Sequence, residues 1–135
     1  MKMLLVSEEN VAKAVAKTMN HYFKEVDAEA ITFEPENYQK SVAKLEKAIA
    51  DNTDKEILIL VDVFGSVAYI EARVALEKFG VDEDRALIIC GLSVPMAVKL
   101  HNFKEMVSVQ YIRAVYEEHD RLGYSLPIRK IRKSA

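Results

Sequence analysis

Two clusters of acid and hydroxyl side chains follow short apolar runs in this chain. Asp62, Gly65 and Ser66 come after Ile57-Leu58-Ile59-Leu60-Val61, and Ser7, Glu8, Glu9 and Asn10 come after Met3-Leu4-Leu5-Val6. Carboxylates gathered in one place can share acid–base work. They can also hold a hard cation through oxygen, or simply favour the positive end of a helix. In open α/β sheets ligands sit beyond the carboxyl ends of the strands. Both clusters therefore fall where a site is expected.

Other reactive types are few. The three histidines are His21, His101 and His119, and Cys90 is the single cysteine. One cysteine allows neither an internal disulfide nor a Cys-based zinc cluster, and its apolar neighbours mark Cys90 as a small core residue. His21 stands at the far end of the first helix, about 16 Å of helical rise from Asn10. It is too distant to serve the first cluster. His119 sits in a charged helix end. Arg129-Lys130-Ile131-Arg132-Lys133 puts four basic residues in five, a solubilising tail or a contact for an acidic partner.

The elements that must position these groups alternate. Lys2–Val6, Ala30–Phe33, Ile57–Asp62 and Ala86–Cys90 read as strands. Between them Val11, Ala14, Val15, Thr18 and Met19, then Tyr38, Val42, Leu45 and Ile49, then Val67, Ile70 and Val74, recur at helical spacing. Asn10, Asn37 and Ser93 are candidate helix caps. Pro95 suits a first turn, and Gly80 is a stop. Phe103–Leu122 reads as one long helix or two abutting ones. Tyr124–Ile131 reads as a last strand, which Pro127 confines to an edge. This order predicts an α/β fold: a mostly parallel central sheet of four strands, helices on both faces, and a C-terminal strand. A length of 135 residues predicts a single domain, 1–135. A net charge of −2 provides no global field toward nucleic acid or membrane. No leader or spanning stretch is evident, so a cytoplasmic protein is expected.

With its later Gly91-Leu92-Ser93-Val94-Pro95-Met96, the chain resembles the enzyme IIA domain of the mannose/fructose/sorbose class of the bacterial phosphoenolpyruvate:sugar phosphotransferase system. There a strand ends in Val-Asp-x-x-Gly-Gly-Ser-Pro, and a later one runs into Gly-Val-Asn-x-Pro-Met. Asp62, Gly65, Gly91, Pro95 and Met96 match in register. The resemblance implies a relay in which a histidine after strand one, in a Ser/Thr-His-Gly turn, takes a phosphoryl group from HPr and passes it to a IIB component. It also implies a homodimer, with the last strand passed to the partner's sheet.

Within that likeness Ser7 fits the Ser/Thr, Glu8 takes the histidine's position and Glu9 the glycine's. Ser66, Val67 and Ala68 replace Gly-Ser-Pro. Carboxylates there repel a phosphoryl donor. The expected function is a non-phosphorylatable binding or regulatory homologue, with Glu8, Glu9, Asp62, Gly65 and Ser66 as a relic phosphoryl pocket. HPr, a IIB component or another regulator is the expected partner, and no cofactor or metal is expected. Two alternatives stay open. One is an active carrier using another residue, His101 or Ser66. The other is an interaction module with a vestigial pocket.

Overall fold

In the computed structural model, residues 1–121 are described, with side chains through residue 116. The chain runs β1 (Lys2–Glu8), α1 (Val11–Met19), β2 (Glu29–Phe33), α2 (Tyr38–Ala50, entered through a 3₁₀ turn at Pro35–Asn37) and β3 (Ile57–Val61). It continues with α3 (Val67–Lys78), β4 (Ala86–Cys90), α4 (Val94–Phe103) and α5 (Val109–Arg121). The strands form one parallel sheet in the order β2-β1-β3-β4. The expected C-terminal strand with Pro127, the basic tail and the side chain of His119 lie outside the described residues.

Every residue of β3 is buried, as are Met3 to Ser7 of β1. Both strands are central, so both of their faces are covered. Leu4, Val6, Ile57, Ile59 and Val61 pack toward α2 and α3. Met3, Leu5, Leu58 and Leu60 pack toward α1, α4 and Ile112 of α5. The strands' period of two thus feeds two separate cores.

Five local expectations change. β1 extends to Glu8, two residues beyond the apolar run, because Ser7 and Glu8 still pair with Thr32 and Phe33. Asn10 and Asn37 make no side-chain cap bond. His21 lies in the turn beyond α1 rather than on it. The spacing Val67, Ile70, Val74 marks a helix, but those side chains are 37%, 51% and 51% exposed; α3 instead buries Ala68, Ala72, Ala75 and Leu76. Alanines let the helix lie close to the sheet, which leaves the larger apolar side chains outward. The expected helical stretch Phe103–Leu122 is neither one helix nor two abutting ones: Phe103 closes α4, a turn follows, and α5 begins only at Val109.

Candidate functional site

The carboxyl ends of β1 and β3 meet because these strands are neighbours, with Val6 opposite Val61. Asp62, the next residue, is tied by its backbone on two sides. Its N–H donates to Val6 O at 3.3 Å, and its carbonyl accepts from Gly91 N–H at 3.1 Å. The carboxylate is thereby held at the rim. Oδ2 accepts the backbone N–H of Glu8 (3.0 Å). Oδ1 accepts the N–H of Val63 (2.8 Å) and the hydroxyl of Ser66 (3.4 Å).

Ser66 is the N-cap of α3, and its Oγ accepts from Tyr69 N–H at 3.2 Å. The hydroxyl thus donates to Asp62 and accepts at the first turn of α3, as an N-cap does. Gly65 permits the approach to that cap: its φ is +78°, a region that suits glycine.

Glu8 reaches across the same gap. Its Oε1 accepts the N–H of Val67, the first residue of α3, at 3.1 Å. The first N–H groups of a helix lack intrahelical partners and carry the positive end of its dipole, so they form a ready anion site. A side-chain carboxylate of the chain itself occupies that position.

Glu9 contributes backbone geometry. Its φ of 53° makes it the one non-glycine residue of positive φ among the described residues. This is the position at which the resemblance places glycine. Its N–H donates to Phe33 O, its carbonyl accepts from Ser7 Oγ, and it is exposed. Among the described residues Glu8, Glu9 and Asp62 form no metal-ligand group.

The capping role of Ser7 is what sequence reasoning missed. The residue is fully buried, and its Oγ accepts the N–H of Ala12 at 2.7 Å. It therefore does at the start of α1 what the spacing predicts for Asn10. The signal was the Ser/Thr of the Ser/Thr-His-Gly turn, whose hydroxyl has a capping use that does not depend on the histidine.

His101 is not part of this rim. It lies in the last turn of α4, and its Nε2 accepts the N–H of Asp27, just before β2, at 2.9 Å. Nearby Lys104, 3% exposed, donates to Asp27 Oδ2 (2.7 Å), Glu105 Oε1 (2.6 Å) and the carbonyl of Met1 (3.2 Å). Asp27 and Met1 precede β2 and β1, so this cluster marks the amino ends of the strands. Nδ1 of His101 is buried without a partner, and the ring lies 4.2 Å from that of Phe23. Burial and then the Lys104 ammonium hold the imidazole below its ordinary pKa, against the opposing pull of Asp27 and Glu105.

A family model described as "PTS system fructose IIA component" matches residues 2–116. No curated protein matches. Among solved structures, a mannose/sorbose specific IIA subunit of the phosphotransferase system from Enterococcus faecalis is 18% identical. It covers 93% of this chain and 92% of its own, with a TM-score of 0.66. A PTS IIA protein associated with the fucose utilization operon of Streptococcus pneumoniae is 18% identical over 96% and 93% of the two chains, with a TM-score of 0.65. A sigma-54 interaction domain protein from Enterococcus faecalis is 15% identical over 93% and 97%, with a TM-score of 0.68. These structures share the fold.

Proposed function

The chain belongs to the fructose IIA component family of the phosphotransferase system, and from that premise we propose that it is a binding or regulatory member that carries no phosphoryl group. One observation carries the reading: the carboxylate of Glu8, the residue to which the resemblance gives the histidine's position, already takes the Val67 N–H at the start of α3. A carboxylate in that place presents a permanent anion where a carrier would present a switchable one. It also repels an anionic donor and fills the helix-end position that phosphate oxygens would use.

The partner in this reading is HPr or a IIB component, met at the rim in the cytoplasm. Val63, Val67, Ile70 and Val74 are exposed beside Asp62 and along α3. They supply apolar contact area around an acidic centre, the composition of a protein-binding patch.

The test is intact mass after incubation with phosphoenolpyruvate, enzyme I and HPr, alongside an active IIA protein as control. No mass gain is expected. A phosphoryl adduct on this chain, whether on histidine or carboxylate, would overturn the reading. Glu8→Ala should weaken partner capture, and unchanged capture would favour a pocket without a role.

A further inference from the structure

On the other flank of the same rim lies a cleft of opposite charge. It measures about 150 Å³ and runs beside β2, an edge strand of the sheet. Its walls include Lys13 of α1, Thr32 of β2, and Asn37, Lys40, Ser41 and Lys44 from the start of α2. Thr32 pairs with Ser7, so the cleft stands next to the turn that carries Glu8, with β1 between it and Asp62.

No acidic side chain lines the cleft. Among the described residues Lys13, Lys40 and Lys44 form no salt bridge, which they share with Lys17, Lys24, Lys55 and Lys99; what sets the three apart is that they line one cavity. Lys40 and Lys44 are four apart on one helix, where like charges repel. A chain of net charge −2 thus gathers three unpaired cations around one cavity.

Lysines also blunt edge strands, but that role calls for charges spread along the edge rather than around a hollow. An added peptide strand is disfavoured as the occupant, because Ser41 Oγ already donates to the outward carbonyl of Thr32. The hollow has room for about five waters. That suits a small ligand with two negative charges and several acceptor oxygens, for which ammonium groups are good partners.

We propose that this cleft binds a small phosphomonoester dianion, held by the ammonium groups of Lys13, Lys40 and Lys44, with the Asn37 side chain as a further polar contact. The site is independent of the chemistry at Glu8.

The experiment is a backbone-amide NMR titration of the whole protein at constant ionic strength, first with glycerol phosphate and then with inorganic phosphate. Saturable shifts centred on residues 30–32 and 37–44 are expected with the ester. Binding should weaken about tenfold or more in a Lys40→Gln/Lys44→Gln double variant and stay unchanged in Lys17→Gln. All of these lysines are exposed, so the fold survives the changes. Linear shifts spread over every lysine, or equal binding by the double variant, would overturn the site and leave edge protection as the lysines' role. Saturable binding of inorganic phosphate with no response to the ester would overturn the ester assignment.

Discussion

Asp62 holds Glu8 by its backbone, not by its side chain: Asp62 Oδ2 accepts the Glu8 N–H at 3.0 Å, while Glu8 Oε1 turns away to the N–H of Val67. The two acids divide the work of the rim. One fixes the turn after β1 and the other closes the start of α3, so their charges need not meet.

Asp62→Ala follows directly. It removes the acceptor for the N–H groups of Glu8 and Val63 and for the hydroxyl of Ser66. Bonds to a carboxylate contribute about 1.5–3 kcal/mol each when partly buried, and water will replace some of them. A loss of about 2 kcal/mol and a melting point lower by several degrees are expected. Denaturant unfolding with an unchanged m-value checks it.

Glu8→His places an imidazole at the position that the resemblance gives to the family's acceptor. The variant should gain one phosphoryl group from phosphoenolpyruvate, enzyme I and HPr, labile in acid, while the parent gains none. Failure of the variant with an active control would mean that Ser66-Val67-Ala68, in place of Gly-Ser-Pro, also matters to transfer.

Ser7→Ala removes the acceptor for Ala12 N–H inside the core. Loss of such a cap costs about 1–2 kcal/mol. Asn10→Ala, whose side chain caps nothing, should change stability by less than about 0.5 kcal/mol. Thermal melts of the pair compare the two directly.

His101 makes stability sensitive to acid. Its Nε2 must be unprotonated to accept from Asp27 N–H, and burial, with Lys104 adding to it, keeps its folded pKa below the ordinary value of 6.5. A base whose pKa is lowered on folding binds fewer protons folded than unfolded. Its contribution is therefore complete above about pH 6.5 and declines as pH falls from there toward the folded pKa. His101→Leu should cost about 1 kcal/mol at neutral pH, through the unpaired Asp27 N–H. It should also flatten the fall in melting temperature on acidification. An unchanged slope would remove His101 as the cause.

On α3, Ile70→Asp should leave the melting point nearly unchanged, since the side chain is 51% exposed, whereas Ala72→Leu should destabilise by about 1–3 kcal/mol. In partner capture the order reverses, with Ile70→Asp the more harmful.

Those last two residues show where sequence was informative and where it was not. Ile57–Val61 announced a strand covered on both faces, and the acid after it announced the rim. Both are local properties of consecutive residues. The helix at 67–78 was also legible, but its buried face was not. Spacing reveals a stripe, and which stripe meets the sheet depends on how closely the backbone can approach, which favours alanine. Ser7 was obscured because a cap is sought next to its helix, and here the strand runs on until Ser7 lies under the first turn. The burial of Lys104 depends on Asp27 and Met1, which only the closed sheet brings to it.

The strand order also sets a timetable for folding. β1 leaves the ribosome before β2 and β3, yet its register with β3 pairs Lys2 with Ile57, and β2 covers only one of its edges. Until residue 61 has emerged, Met3 to Val6 offer an apolar strand with an open side. Parallel pairings that close long loops form slowly and leave sticky edges exposed meanwhile. A chain that ends before β3 therefore lacks one of the two neighbours of β1. Synthesis of the segment carrying β3 ends that exposure by placing the last neighbour beside β1.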